Sequence, residues 1–349
     1  MLTTIPRHPQ RTAIALLLAL AGIPIAYAAP PHELPGYTTS PYFSEQIRDF
    51  TFDPDVLVEI NAPAASAFDP AKPVRLVIFA LPNGNTIAQT VGSQMIEGLD
   101  WHFDIQHIGA QTRLVRKLTP DANIVVAYVQ AKEKSWPTWR KNHADSGAAI
   151  VKLVETLRGE FADMPVAVEL TSHSGGGSML FGFIEQVDEI PNWITRFVWL
   201  DSVYNYKPET HTKKINQWLR ADPTHVLSVI SYDDREAKYN GKPLVSPTGG
   251  TYRRTQEMVA VMQRDFQLKP AGTDDYRSYH DDAKRIELIL LNNPDNKILH
   301  TVLVERNGFI HAVTLGTPAA EHAPAFWTDR AYSDWIQPAA PEPAGPPHP

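Results

Sequence analysis

The sequence of 349 residues contains no cysteine. A disulfide framework is therefore excluded, as is lipidation at a cysteine, and packing alone must stabilise the fold. Basic residues are also in deficit, since 32 Lys and Arg face 39 Asp and Glu, for a formal net charge of −7. A chain of net negative charge is a poor partner for a phosphate backbone, so no nucleic acid ligand is expected.

Long apolar runs are absent except at the amino terminus. Arg7 and Arg11 precede an apolar run from Thr12 through Ile25, and Ala26-Tyr27-Ala28 has the small-x-small form of a signal-peptidase site. We therefore predict a signal peptide at residues 1–28, export to the periplasm or the medium, and no stable membrane insertion after cleavage, with an uncleaved anchor as the alternative. Loss of both arginines would leave a net charge of about −9.

Proline is concentrated at both ends of the mature chain. Residues 29–36 are predicted to be an extended Pro-rich leader, and residues 337–349 (QPAAPEPAGPPHP) a disordered tail, because neither can sustain a helix or a strand. The folded unit is predicted at residues 37–336. That length suits one large α/β domain, although length alone also allows two.

Apolar runs alternate with helical patterns along this unit, which favours an α/β fold with a mostly parallel central sheet flanked by helices on both faces. Stripes with a 3.6-residue period predict helices at Asp145–Phe161, Gly177–Val187 and Thr251–Phe266. Ligands bind beyond the carboxyl ends of parallel strands. The predicted strands are Val56–Ile60, Val74–Ala80, Asn123–Gln130, Val166–Thr171, Arg196–Leu200, His225–Tyr232 and Thr301–Glu305.

The run VAVELTSHSGGGSML at residues 166–180 joins a strand to a helix through a Ser- and Gly-rich turn. A serine at such a bend projects its hydroxyl, and the amides that follow it can stabilise an oxyanion. Ser174 is therefore the candidate nucleophile, with an ordinary Ser/Gly turn as the alternative. A serine nucleophile also needs a histidine to accept its proton and an acid to orient that histidine.

Serine, acid and histidine candidates follow strands in that order, and in this the chain resembles the α/β-hydrolase superfamily over about residues 50–336. In that superfamily the serine lies in a strand-to-helix turn, the nucleophile elbow, with the pattern G-x-S-x-G. The elbow of this chain departs from the pattern because Ser172 occupies the first glycine position, whereas Gly176 matches the second. His173, between the two serines, is interpreted as a packing or supporting residue that points away from Ser174.

Two histidines bracket the last apolar run, HTVLVERNGFIH. If Thr301–Glu305 is a parallel strand, His300 lies at its amino end, across the sheet from Ser174, whereas His311 follows its carboxyl end. His311 is therefore the predicted base, and a loop histidine without a role is the alternative.

Three carboxylates compete for the role of the orienting acid. The resemblance favours Asp234, which follows HVLSVISY at the position where the superfamily most often carries its acid. Asp201, after RFVWL, is a rival because some lipases carry the acid one strand earlier, and Asp233 is the third option. A capping or turn carboxylate is the alternative for each.

The loops at the carboxyl ends supply candidate oxyanion and substrate contacts. Gly175 is predicted to give one oxyanion N–H, and the resemblance implies a second from Asn83 or Gly84 in the loop LPNGNT, unless that loop is a plain turn. The connection at residues 235–250 is a candidate lid or specificity wall. The predicted substrate contacts, for which packing under a loop is the alternative, are Trp136, Trp139, Arg140, Tyr204 and Tyr206.

These patterns predict an exported serine hydrolase that cleaves a carboxylic ester, in a small molecule or a polymer, through an acyl-enzyme without cofactor or metal. A serine peptidase or amidase on the same fold is the alternative. A non-catalytic or metal-dependent binding protein is a third hypothesis, motivated by 13 histidines, although His102, Asp104 and His107 lack a recognised metal-ligand spacing. The sequence specifies neither the natural substrate nor the oligomeric state.

Overall fold

A computed structural model describes residues 30–339, and the described chain from Pro31 onward forms one compact unit. The predicted signal peptide and all but the first residues of the predicted tail lie outside the described residues. None of the described helices is long and apolar enough to cross a membrane.

One eleven-stranded sheet organises the molecule, in the order β1-β2-β3-β5-β4-β6-β7-β8-β13-β12-β11. The central strands from β5 to β13 in this order are parallel, and antiparallel strands extend both edges. In chain order the strands are β1 Thr38–Thr39, β2 Gln46–Phe52, β3 Val56–Ala62, β4 Val74–Ala80, β5 Asn123–Ala131, β6 Val166–His173, β7 Ile194–Leu200, β8 Val226–Tyr232, β9 Lys238–Tyr239, β10 Lys242–Pro243, β11 Lys269–Gly272, β12 Tyr276–His280 and β13 Ile286–Leu291. Strands β9 and β10 form a separate two-stranded hairpin.

Helices cover both faces of this sheet. Alternate residues of β4 join two separate cores, Leu76 and Ile78 with the helices of one face, Val77 and Phe79 with those of the other. This double burial explains why the central strands are apolar at consecutive positions. The helices are α1 Ile87–Val91, α2 Ile108–Leu118, α3 Trp136–Asn142, α4 Ser146–Gly159, α5 Gly177–Gln186, α6 Pro208–Ala221, α7 Thr251–Asp265 and α8 Phe309–Thr314. The predicted fold class is confirmed.

The last predicted strand is wrong. Residues 301–305 turn helically, with the N–H of Leu303 bonded to the carbonyl of Leu299 and that of Glu305 bonded to the carbonyl of Thr301. The last parallel strand is instead β13, IELILL, which pairs with β8. The other six predicted strands and the three predicted helices are confirmed, with ends that differ by no more than two residues. A helical turn places the adjacent residues Leu303 and Val304 in one core.

Candidate active site

Ser174 occupies the sharp turn between β6 and α5. Its φ of 54° lies in the left-handed region, which is strained for a residue with a side chain and typical of functional sites. The turn is wedged between neighbouring strand ends, because a Cβ on Gly176 would lie 2.1 Å from the carbonyl oxygen of Ala80 and one on Gly177 1.8 Å from that of Ser202. Only glycine fits at both positions, and this close fit holds Ser174 at the carboxyl edge of the sheet.

Ser172 replaces the first glycine of the elbow pattern without leaving an unpaired hydroxyl. Its side chain is fully buried, and its Oγ lies 2.7 Å from the Oγ of Ser202 and 3.3 Å from the carbonyl oxygen of Val198, to which it can donate. A buried hydroxyl is tolerated where it finds such partners. The departure from the pattern is therefore accommodated at the end of β7.

Asp201 and His300 form an acid–histidine pair at this edge. Asp201 directly follows β7, which pairs in parallel with β6, and its carboxylate is fully buried. The Nδ1–H of His300 donates to Oδ2 of Asp201 at 2.5 Å, and the Thr251 hydroxyl donates to Oδ1. A neutral ring that donates from Nδ1 carries its lone pair on Nε2, which is the tautomer a general base needs.

His173 supports His300 from the β6 side. Its Nε2 lies 3.0 Å from the carbonyl oxygen of His300, the ring centroids are 4.6 Å apart, and its Nδ1 faces the side-chain amide of Gln106 at 3.1 Å. Burial, and then the neighbouring His300, hold the pKa of His173 well below its usual value, so the ring is neutral. Its Nε2–H donates to the His300 carbonyl, and its Nδ1 can accept from the NH₂ group of Gln106 when that amide is turned toward it. His300 is thereby held beside the residue that precedes Ser174.

His311, the predicted base, lies at the opposite edge of the sheet. It belongs to α8, and its Nε2 is 2.6 Å from the carboxylate of Glu287 near the amino end of β13. Carbonyl groups of the same helix accept hydrogen bonds from Arg75 and Arg196, near the amino ends of β4 and β7. The prediction of His311 as base is therefore wrong. With β13 as the last parallel strand, His300 is the histidine that follows a carboxyl end.

The favoured acid, Asp234, makes no hydrogen bond to a histidine in the described chain. It is buried beside Asp201 and accepts the backbone N–H of Thr251 at 3.0 Å, and burial together with the charge of Asp201 raises its pKa to about 7. Asp233 pairs with Arg235 at 2.6 Å. The structure therefore contradicts Asp234 and Asp233 as the residue that orients a histidine and places the rival, Asp201, in that position.

The loop after β4 lies against the turn, as the oxyanion prediction requires. A Cβ on Gly175 would lie 2.1 Å from Oδ1 of Asn83, so the two residues are in close contact. The N–H of Gly84, however, donates to the carbonyl of Lys134 at 2.9 Å, which removes Gly84 as an oxyanion donor. Within residues 30–339 the N–H of Asn83 has no backbone acceptor. Gly175 lies in the first turn of a helical segment, where a backbone N–H has no acceptor within the helix.

Four of the five predicted substrate contacts are structural. Trp136 and Trp139 are 1% exposed, and Tyr206 is equally buried. Each of the four side chains is bonded within the protein: Trp136 to the Val129 carbonyl, Trp139 to the Pro54 carbonyl, Arg140 through its two terminal nitrogens to the Ser178 carbonyl and Glu185, and Tyr206 to Thr212. The three aromatic side chains pack under their loops, which is the alternative stated for them, and the guanidinium of Arg140 is held by its protein partners.

Tyr204 keeps a position from which it can meet a ligand. It is 39% exposed, three residues after Asp201. Burial of its hydroxyl end and the negative charge of Asp201 raise its pKa well above the usual value. Tyr204 is therefore close enough to Asp201 to feel its charge, and part of its side chain is exposed.

Two contributing residues carry no sequence signal. Thr251 is 50 residues from Asp201, and Gln106 is 67 residues from His173. His300, in contrast, had one: the run IELILL followed by Asn292-Asn293-Pro294 is a stronger strand-and-stop signal than residues 301–305. No cluster of three or more His, Asp or Glu that could hold a metal occurs in the described part of the chain.

Neither a protein-family model nor a curated protein matches this chain. Solved structures with a similar fold include a glucuronoyl esterase from Solibacter usitatus (13% identity, TM-score 0.42, covering 85% of this chain and 86% of that chain) and the siderophore hydrolase EstB from Aspergillus nidulans (11%, 0.40, 78% and 95%). A thermophilic esterase from Thermogutta terrifontis is another (13%, 0.37, 75% and 85%). The strand–turn–helix at Ser174 resembles the turn that presents a serine in the α/β-hydrolase fold.

Proposed function

We propose that the protein is a serine hydrolase that cleaves a carboxylic ester, with Ser174 as nucleophile, His300 as general base and Asp201 as the orienting acid. The observation that carries the proposal is the hydrogen bond from Nδ1 of His300 to Asp201 at the edge of the sheet where a strained turn presents Ser174. This bond leaves Nε2 of His300 to accept the serine proton.

In the acylation step, Oγ of Ser174 attacks the ester carbonyl carbon while its proton passes to Nε2 of His300. Asp201 stabilises the imidazolium, and the N–H groups of Gly175 and Asn83 stabilise the oxyanion of the tetrahedral intermediate. The imidazolium then protonates the departing alkoxide, which leaves an acyl-enzyme on Ser174. A water molecule, deprotonated by His300, hydrolyses that ester by the same sequence of steps.

The proposed substrate is an ester in a small molecule or on a polymer. The aromatic residues expected to line the site are largely buried, and Tyr204 is the one that reaches the surface, which suits a shallow site for an ester in a small molecule or on a polymer. Export through a signal peptide at residues 1–28 belongs to the same proposal, and would place the enzyme where such esters are met outside the cytoplasm.

A fluorophosphonate probe tests the proposal directly. Mass spectrometry of the labelled protein should find one adduct, on the peptide that contains Ser174, and Ser174→Ala should abolish it. Ser246→Ala, a change at an exposed serine of the 235–250 connection, should leave labelling unchanged. An adduct on another serine, or no adduct on the folded protein, would contradict the proposal.

A hydrolysis screen with aryl esters of graded length, acetylated sugars and aminoacyl amides should follow. Turnover should be highest on an ester and should resist a chelator. Faster turnover of amides would favour a peptidase, and activity that is lost with the chelator but indifferent to Ser174→Ala would refute serine catalysis.

A further inference from the structure

Two buried carboxylates meet on one threonine beside the proposed triad. Asp201 and Asp234 follow the adjacent strands β7 and β8 and are 0% and 1% exposed. Thr251, the fully buried first residue of α7, lies between them: its hydroxyl donates to Oδ1 of Asp201, and its backbone N–H donates to Oδ2 of Asp234 at 3.0 Å. A single residue therefore joins the acid that holds His300 to a second acid that does not touch it.

The contact between Asp234 and Thr251 is closely fitted. Gly250 has a φ of 96°, and a Cβ there would lie 2.5 Å from Oδ2 of Asp234. Glycine at this position thus allows the Asp234 carboxylate to reach the N–H of Thr251. We call these three residues, Asp234, Gly250 and Thr251, the clasp. The clasp also closes the base of the connection 235–250, which begins after Asp234 and contains the β9–β10 hairpin.

The electrostatics of the site allow the second acid to lie so close. Burial, and then the charge of Asp201, raise the pKa of Asp234 to about 7, and Arg253 opposes this rise. The hydroxyls of Tyr204 and Tyr232 also lie near Asp201 and Asp234, and the imidazole of His300 is bonded to Asp201. Below neutral pH Asp234 is therefore uncharged, and it can hold Thr251 without setting a second negative charge against Asp201.

We propose that Asp234 is a positioning residue, which acts through Thr251 to fix the Asp201 carboxylate in the orientation that His300 requires. This inference rests on the proposed function. Rotation of a carboxylate about its last side-chain bond is soft, so the hydrogen bond from Nδ1 of His300 does not fix it alone. The Thr251 hydroxyl, which donates to Oδ1, completes the fixing of the Asp201 carboxylate. The bond from the Thr251 N–H to Asp234 fixes Thr251 and with it the direction of that hydroxyl.

The steady-state kinetics of clasp variants on an aryl ester test this role. Thr251→Val removes the hydroxyl at almost constant shape, and Asp234→Ala removes the acceptor of the Thr251 N–H. Each should lower kcat about tenfold and change KM by less than about twofold, because the loss arises in the transition state. Thr251→Ser, which restores the hydroxyl, should recover kcat to within about threefold of the parent.

The double variant tests whether both residues act along one path. Asp234→Ala combined with Thr251→Val should be no slower than Thr251→Val alone, because the first change acts only through the hydroxyl that the second removes. Asp233→Asn is the matched control and should keep the parental kcat, since Asp233 pairs with Arg235 outside the clasp. If Asp234→Ala does not fold, Gly250→Ala replaces it, since its Cβ would displace the Asp234 carboxylate, and the same tenfold loss is expected.

Four results would overturn the inference: a parental kcat in folded Asp234→Ala, a parental kcat in Thr251→Val, an equal loss in Thr251→Ser, or losses that multiply in the double variant. Fluorophosphonate labelling of Ser174 in the same preparations separates this failure from failure of the proposed function. A parent protein that is not labelled refutes the function, whereas a labelled parent with unchanged kcat in Thr251→Val refutes only the role of the clasp.

Discussion

Two buried ionisable residues near the Asp201–His300 pair, Asp234 and His173, have pKa values that favour their uncharged forms. Burial and Asp201 keep Asp234 uncharged up to a pKa of about 7, and burial keeps His173 neutral by holding its pKa well below the usual value. Below neutral pH, neither residue therefore adds a charge beside the pair that Asp201 forms with His300. Both contribute hydrogen bonds instead, one to Thr251 and one to the backbone of His300.

The raised pKa of Asp234 predicts a pH dependence of stability. An aspartate ionises near 3.8 in the unfolded chain and near 7 here, so between these values the folded state binds more protons and the free energy of unfolding falls as pH rises. Asp234→Asn removes this contribution. The free energy of unfolding of the variant, relative to that of the parent, should therefore rise by up to about 4 kcal/mol as the pH increases from about 4 to about 7.

Urea unfolding of both proteins at several pH values measures this gain. Glu59, whose pKa is also raised to about 7, is present in both, so the difference between them isolates Asp234. A difference that stays constant across this pH range would show that Asp234 is ionised in the folded protein.

Residues that act through a local pattern could be predicted, and residues that act across the fold could not. The turn that contains Ser174 and Gly175 could be located from the sequence because it is encoded in consecutive residues. The pairing of Asp201 with His300 spans 99 residues, and it could be found only with the correct last strand. Thr251 acts through a hydroxyl and an amide that no motif distinguishes from an ordinary helix start.

At the scale of elements, the turn at Ser174 keeps its conformation because β4, β6 and β7 end side by side. The turn after β6 passes within contact distance of the backbone that ends β4 and follows β7, so it has no room for side chains at two consecutive positions. The strained φ of Ser174 is thus maintained by its packing and not by its own preference.

Gly177→Ala should break this element. Its Cβ would lie 1.8 Å from the Ser202 carbonyl oxygen, so the backbone must shift, and we expect a loss of about 3 kcal/mol or more in the free energy of unfolding. Gly159→Ala is the matched control, since a Cβ at this last residue of α4 meets nothing within 4 Å, and it should be neutral or stabilising by up to about 1 kcal/mol. Equal free energies of unfolding of the two variants in chemical denaturation would argue against a close fit of the turn between the neighbouring strand ends.

Elements were predictable where their environment is uniform. Strands β4 to β8 are buried on both faces, so their apolar runs could be recognised without further information. The run at residues 301–305 carries β-branched residues yet turns helically, because tertiary packing overrides a local preference of so few residues. Strand β11 was missed because all its residues are exposed and no hydrophobic period marks it.

At the scale of the whole molecule, the two edges of the sheet differ in chemistry. The carboxyl edge carries Ser174, His300 and the acids, whereas the amino edge carries a buried ion cluster in which Glu169 lies between Arg75 and Arg196. Although burial opposes it, the two guanidinium groups hold the pKa of Glu169 below its usual value. Both arginines also donate to carbonyl groups of α8. The cluster therefore fastens α8 under the sheet.

Glu169→Gln should destabilise the protein without altering catalysis. It leaves two buried guanidinium groups without a counter-charge, which should cost about 3 kcal/mol in the free energy of unfolding. The exposed Glu155→Gln on α4 should change it by less than about 0.5 kcal/mol. Fluorophosphonate labelling per folded molecule should be unchanged in both. A Glu169→Gln protein as stable as the parent would show that the ion cluster does not stabilise the fold. A folded Glu169→Gln protein that is labelled more slowly would show that the amino edge affects the site at the carboxyl edge.

The most direct test of the account compares His300→Ala with His311→Ala. The proposed base, His300, bonds Asp201 at the carboxyl edge, and His311 binds Glu287 at the far edge. With circular dichroism as the check on folding, kcat for an aryl ester should fall by about 10⁴-fold or more in His300→Ala and stay within about threefold of the parent in His311→Ala. Loss of kcat in the folded His311→Ala protein, with activity kept in His300→Ala, would contradict it.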